Sequence, residues 1–491
     1  MSIARHTAYN VVGALVPLVV SLIMVPLYLK VIGIERYGIL SICWLLLGYF
    51  GLFELGLGPA TAQRIASYPA DAANARNELL WNAITLSLGV GALGGCVLFL
   101  VGKQLLLLLR EVGGLSREIG QSMFWLALCV PATALYGVLN GALQGREQFL
   151  TMNVVSSVSN VLLAALPLAA AFYVSPHLPA LIAAVFLARL VSTVAVGLAC
   201  RPRVPIIQPI TPSRAILTSL ITFGSWVTGA GILTPILTSI EKLVVGFRLG
   251  ATAVGTYVVP FNLVSRFVLL PQSVASALFP RFASLGTAQI DRMEQDAVRS
   301  LASLATPLIV LALAVLPEFL RLWIGPSLAG PTTPIACIVL VGFWFNGFAH
   351  ISYARLQGTG RPDLVTKISF WQLGPYLVAI YLAVMTAGLV GAAVTWSIRA
   401  AVDMLIFFAV TNQPGRLIRI IAAPGAIVLS ASVASLFVPL TWVHWGLEGA
   451  LLLAAVALGY RELASRLAEF FPSILGGWAL PPTTADQRRQ E

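Results

Sequence analysis

The chain has 491 residues, 58% of them hydrophobic and only 10% charged, with a mean hydropathy of +0.90. Soluble domains carry about 25% charged residues, so a soluble domain is excluded. The formal net charge of +11 would suggest nucleic acid in a soluble protein, but here basic cytoplasmic loops account for much of it, and no nucleic-acid partner is expected.

A crossing of the bilayer needs about 20 apolar residues, and there are no ten-residue blocks of alternating polarity of the kind a membrane barrel requires. The class is an all-α polytopic membrane protein. Met1–His6 carries one arginine, and Ala8–Val31 then runs too long for a signal-peptide core; with Pro17 and Pro26 inside it, it reads as a retained first helix. About 14 transmembrane helices follow in order: 8–31, 38–61, 81–101, 121–143, 153–174, 179–199, 222–246, 253–277, 299–317, 333–354, 368–387, 389–411, 420–440 and 446–460. The longest connections are Gln63–Leu80, Gly102–Gly120, Arg201–Ile221, Leu278–Arg299 and Gln357–Lys367, none large enough for a soluble domain. Leu105–Leu109, beside Arg110 and Arg117, is expected along the outer headgroups, and Arg461–Phe470 along the inner ones. The tail after Phe471 is expected to be disordered.

Basic residues fix the orientation. With the N-terminus inside, nineteen of the thirty Lys and Arg fall on the inner side and seven on the outer. Both termini are therefore expected in the cytoplasm.

The chain also repeats itself. Gly33 and Gly250, Arg64 and Arg281, and Ser67 and Ser284 are each 217 positions apart, and Leu143-Gln144-Gly145 recurs 213 positions later as Leu356-Gln357-Gly358. The offset spans six helices, an even number, so the halves point the same way. This predicts two parallel six-helix lobes: an N-lobe over 1–200, a C-lobe over 201–412 after a cytoplasmic linker at about 201–221, and two extra C-terminal helices with a tail over 413–491.

Three arginines lie within apolar runs: Arg189 in Leu181–Ala199, Arg266 in Val254–Ala277 and Arg399 in Val390–Ala409. An Arg at the bilayer centre costs roughly 2.5–3.5 kcal/mol on insertion scales, so these residues are expected to face protein or water. Guanidinium groups offer paired donors to a phosphate, which makes the three arginines candidates for binding an anionic substrate in a lumen. The competing reading is structural pairing, and Asp403 sits four residues after Arg399 on the same helical face. Lys242 is a fourth cation within a span. Glu54, Glu241 and Asp403 are the intramembrane acids, as proton carriers or as charge partners. Arg64 and Arg281, at the inner ends of helices 2 and 8, are candidates for an entrance or for topology anchors. Trp344, Phe345, Trp371, Tyr376 and Trp396 suit either sugar stacking or packing. The five cysteines and four histidines show no metal-binding spacing, and no Ser/His/Asp arrangement follows from the positions of the histidines.

Several stretches resemble Wzx-type bacterial polysaccharide flippases of the multidrug/oligosaccharidyl-lipid/polysaccharide superfamily. They are the proline-containing first helix with Asn10; Lys30-Val31-Ile32-Gly33-Ile34-Glu35-Arg36-Tyr37-Gly38; Phe53-Glu54-Leu55-Gly56-Leu57-Gly58; the Gln144-Gly145 loop; Gly250-Ala251-Thr252-Ala253-Val254-Gly255-Thr256-Tyr257; and Leu278-Phe279-Pro280-Arg281. The resemblance covers about residues 1–415. It implies a V-shaped pair of lobes that translocates an undecaprenyl-diphosphate-linked oligosaccharide across the inner membrane by alternating access, with a cationic lumen for the diphosphate and sugar. It implies a transporter and no enzyme, and no cofactor is expected. A proton or sodium gradient is the candidate coupling source; membrane lipids and polysaccharide polymerase or assembly proteins are candidate partners. The alternatives are a cation-coupled drug exporter of the same superfamily and a membrane polysaccharide polymerase or ligase. The first needs an acidic pocket, and the second lacks the large outer loop it would need.

Overall fold

A computed structural model describes residues 3–50, 56–68, 72–107, 115–146, 148–202, 213–220 except 215 and 219, 237–284 except 238, 286–411, 414–439 and 441–470. Among them the regular structure is helical: α1 (Ile3–Phe50), α2 (Leu57–Ser67), α3 (Ala73–Leu107), α4 (Ser116–Gly145), α5 (Phe149–Tyr173), α6 (Leu178–Cys200), α7 (239–249), α8 (Ala251–Val264), a 3₁₀ turn (Ser265–Val268), α9 (Leu269–Ser284), α10 (Thr287–Ile324), α11 (Pro326–Gly358), α12 (Pro362–Val410), α13 (Pro414–Phe437) and α14 (Trp442–Phe470). Ten helices among the described residues are long and apolar enough to cross a membrane.

Two helices are too long for one crossing. The 48 residues of α1 would span about 72 Å at 1.5 Å per residue, more than twice the ~30 Å hydrocarbon core. Backbone geometry divides each long element. Gly33 (φ 77, ψ 167) separates the first and second expected spans, and Gly388 (φ 58, ψ −134) separates the eleventh and twelfth within α12.

Several expected connections are shorter than the hydropathy suggests. Leu278–Arg299 is mostly helical: α9 continues to Ser284 and α10 begins at Thr287. Gln289, Met293, Glu294, Gln295 and Ala297 are good helix formers, so the helix outlasts its apolar stretch. Between α11 and α12 only Thr359–Arg361 intervene. Residues 105–107 extend α3, with 108–109 outside the described residues, and Arg461–Phe470 continue α14. The expected span 253–277 around Arg266 contains the 3₁₀ turn Ser265–Val268. Pro271 cannot donate to the Phe267 carbonyl, and the backbone tightens there.

The sequence repeat has a backbone counterpart. Gly250 (φ 91, ψ 178) adopts nearly the conformation of Gly33, one open to glycine and strained for other residues. Ser67 and Ser284 are the last residues of α2 and α9, with Arg64 and Arg281 in the respective last turns. Reciprocal contact adds a further pair at the same offset. A β-carbon at Gly255 would lie 2.6 Å from the Ile34 carbonyl oxygen, and one at Gly38 would overlap the Ala251 carbonyl. The second half of α1 thus crosses α8 backbone to backbone, through small residues, as membrane helices pack.

Packing divides the chain into two compact units: Met1–Arg266 with Leu320–Ile335 and Asp363–Trp396, and Phe267–Phe319 with Ala336–Pro362 and Ser397–Glu491. In the first unit, Leu57, Ile65, Leu80, Val138, Leu143 and Val196 form a buried core among α2, α3, α4 and α6. Pro26 has no N–H for the Leu22 carbonyl, and Trp323 Nε1 donates to that oxygen at 2.6 Å. At one end, Glu118 clasps three elements. It accepts from Arg36 Nε (3.1 Å) and Nη2 (2.7 Å) and from the Leu178 N–H (2.9 Å), and lies 2.9 Å from His177 Nδ1. In the second unit Trp344 is buried, donating from Nε1 to Thr306 Oγ1 at 3.1 Å and packing edge-on to Phe348.

Candidate functional site within the helical bundle

A compact group of charged and aromatic side chains gathers inside the first unit. Glu241 of α7 is fully buried. Its neighbour Lys242 places Nζ 4.4 Å from the centroid of the Phe261 ring, a cation–π contact that stabilises a cation in apolar surroundings. Phe261 in turn stacks on Tyr257, at 5.7 Å, and meets Trp396 edge-on at 5.1 Å. Tyr257 and Trp396 are both buried. Helices α7, α8 and α12 therefore contribute one ammonium group and three aromatic rings to a single cluster.

Arg266 lies just beyond this cluster along the chain, in the 3₁₀ turn that follows α8. It is half-buried, and its Nε makes no hydrogen bond within the described protein. The turn replaces 3.6-residue periodicity with three residues per turn, which re-aims the side chain relative to a continuous helix.

Arg189 is half-buried on α6, with its guanidinium 5.0 Å from the Tyr136 ring centroid. Tyr136 donates to Ser156 Oγ at 3.3 Å, so this arginine sits where α4, α5 and α6 meet. Arg399, in the second unit, is buried, with Nη2 3.6 Å from Asp403 Oδ2. That separation is an electrostatic pair rather than a hydrogen bond. Arg64 and Arg281 are exposed at the ends of α2 and α9. Glu54 lies outside the described residues. Of the aromatics, Trp344, Tyr376 and Trp396 are buried while Trp371 is exposed.

Sequence reasoning missed three charged groups. Arg355, read as a loop cation, is buried between α11 and α10: Nη1 donates to Glu294, and Nη2 lies 2.8 Å from Asp291 Oδ1. Glu118, Arg36 and His177 form the clasp described above, although their sequence separations of 82 and 59 residues give no local signal. The third is Glu448 with His444 in α14, both buried. Their i, i+4 spacing is readable, and Glu448 lies inside the expected span 446–460, but it is not among the intramembrane acids named from the sequence.

The comparisons with known proteins bear on this arrangement. A family described as "Polysaccharide biosynthesis protein" matches residues 3–285. The chain belongs to that family. A protein of Shigella flexneri named "Putative O-antigen transporter" is 26% identical over 407 residues, covering 83% of this chain and 97% of its own. Among solved structures, the lipid II flippase MurJ in an inward closed conformation aligns with a TM-score of 0.70 at 12% identity, over 94% of this chain and 99% of its own. An inward-facing MATE multidrug transporter of the MOP superfamily aligns at 0.65 and 15% identity, over 84% and 98%. These structural likenesses establish the fold, that of the MOP transporters. The chain is thus a multi-pass membrane protein of this family, similar to proteins named as a transporter and a flippase.

Proposed function

We propose that the chain carries an undecaprenyl-diphosphate-linked oligosaccharide from the inner to the outer leaflet of the bacterial inner membrane. Two lobes, helices 1–6 and 7–12, alternate access around a cationic lumen, and both termini lie in the cytoplasm. A proton or sodium gradient drives the cycle, and the product is handed to polymerase or assembly proteins.

The observation that carries this reading is Arg266. It is a half-buried cation at a helix interruption, with Nε donating to no acceptor among the described residues. A buried guanidinium donor without an acceptor is costly, and a diphosphate would satisfy it with charge-assisted hydrogen bonds. The family match and the O-antigen transporter relative support the same substrate class. Lys242 supplies a second cation, and the rings of Tyr257, Phe261 and Trp396 supply apolar faces nearby.

The test replaces the native protein with Arg266→Ala in its host and measures surface polysaccharide together with the amount of protein in the membrane. Polysaccharide should be lost and lipid-linked intermediate should accumulate, with the protein level unchanged. Normal polysaccharide from Arg266→Ala would remove Arg266 from the substrate path.

A further inference from the structure

Helix α14 carries two titratable groups that the proposed lumen does not use. His444 and Glu448 are four residues apart, on one helix face, and are exposed by only 0% and 1%. They lie in the apolar stretch Trp442–Tyr460, about 3 and 9 Å along the axis from its first residue at 1.5 Å per residue. Ionisable groups buried within a span are costly and usually functional or paired. Among the described residues no Lys or Arg lies within ion-pair distance of Glu448.

Donor counting identifies what this acid is doing. Pro317 in α10 has no N–H, so the Leu313 carbonyl four residues earlier loses its helical donor. Ser435 Oγ, from α13, lies 2.8 Å from that oxygen and 2.9 Å from Glu448 Oε1. A hydroxyl has one proton to donate and can also accept. Leu313 O can only accept, so the Ser435 proton goes there. Taken as a separate two-centre hydrogen bond, the second contact has Glu448 as its donor, in the neutral carboxylic acid form.

The imidazole complements it. His444 Nε2 lies 3.3 Å from the Ala314 carbonyl, which only accepts, so Nε2 carries the ring proton. Among the described residues, His444 Nδ1 and Glu448 Oε2 are both buried without a hydrogen-bond partner. Around the pair, α10 offers the Leu313 and Ala314 carbonyls, α13 offers Ser435, and Cys337 of α11 feels the Glu448 charge; half-buried Glu318 stands four residues after Ala314 on α10.

We propose that His444 and Glu448 form a buried proton-binding site, at which a proton is taken up and released during the transport cycle. The proposal rests on the transport function argued above. Release breaks the Glu448 O–H bond, and the proton passes to water, from which His444 Nδ1 can take it up. The carboxylate left behind competes with Leu313 O for the single Ser435 proton. Occupancy of the site thus alters the tie that holds α13 to α10 beside Pro317, which links protonation to helix packing.

The test uses the full-length protein in lipid and the proton itself as probe. Infrared difference spectra across a pH titration should contain a protonated-carboxyl band that is missing from Glu448→Gln. The amide of Gln still donates to Ser435, so this variant should keep its thermal midpoint and membrane level while losing surface polysaccharide. Normal polysaccharide from Glu448→Gln, or wild-type spectra without a band that titrates, would overturn the proposal and leave a structural clamp. Should Glu448→Gln not reach the membrane, Ser435→Ala keeps the acid but removes its acceptor, and an unshifted carboxyl band would likewise overturn it. Wild-type protein with the titrating band but no role in polysaccharide export would defeat the substrate reading alone.

Discussion

Replacing Arg355 with Ala leaves a carboxylate stranded inside the second unit. Glu294 is fully buried, and besides Arg355 its hydrogen-bond partner among the described residues is Ser352, whose hydroxyl donates to Oε1 at 2.6 Å. Asp291 Oδ1 approaches Arg355 to 2.8 Å but makes no hydrogen bond there, and the side chain as a whole is 34% exposed, which makes this the weaker of the two pairings. The Glu294 pairing therefore dominates. Breaking one partner out of a buried pair costs about 3–5 kcal/mol, chiefly because of the uncompensated charge left behind. That corresponds to roughly a hundred- to few-thousandfold loss in the folded-to-unfolded ratio. A double variant, Arg355→Met with Glu294→Gln, removes both charges while the Gln carbonyl still accepts from Ser352. It should cost about 1.5 kcal/mol or less, since neutral replacement of a buried pair is often tolerated. Denaturant unfolding of the purified protein in detergent, run as a double-mutant cycle, measures both. If the double variant is as destabilised as Arg355→Ala, the stranded charge is not what holds α10 to α11, and the reasoning fails.

Two further outcomes follow from the first unit. Gly255→Val should lower stability by about 1–3 kcal/mol through overpacking, because even its β-carbon would meet the Ile34 carbonyl at 2.6 Å; an unchanged thermal midpoint would mean that α1 and α8 do not cross so closely. Glu118→Gln should cost about 1.5–3 kcal/mol by weakening charge-assisted bonds to Arg36 and the Leu178 N–H, read as earlier thermal unfolding, and Arg36→Ala added to it should cost little more.

The class of fold was legible because hydrophobic runs must satisfy their own backbone in lipid, which leaves helices as the solution for chains of this pattern. The repeat was legible for a related reason. Gly33 and Gly250 recur at a fixed offset because both hold a backbone conformation that other residues adopt only under strain. The positions of Arg189, Arg266, Arg399 and Lys242 could be read one by one, since charge within an apolar run stands out. Their surroundings could not. Lys242 meets Phe261 of α8, Arg189 meets Tyr136 of α4, and Arg355 meets Glu294, sixty-one residues away. A hydropathy window sums neighbours along the chain, whereas these partners are chosen by helix packing. The same limit hid Glu448. The sequence alone determined that an acid stands near the start of the last span. Only the folded chain brought Ser435 of α13 between Glu448 and the carbonyl freed by Pro317 in α10.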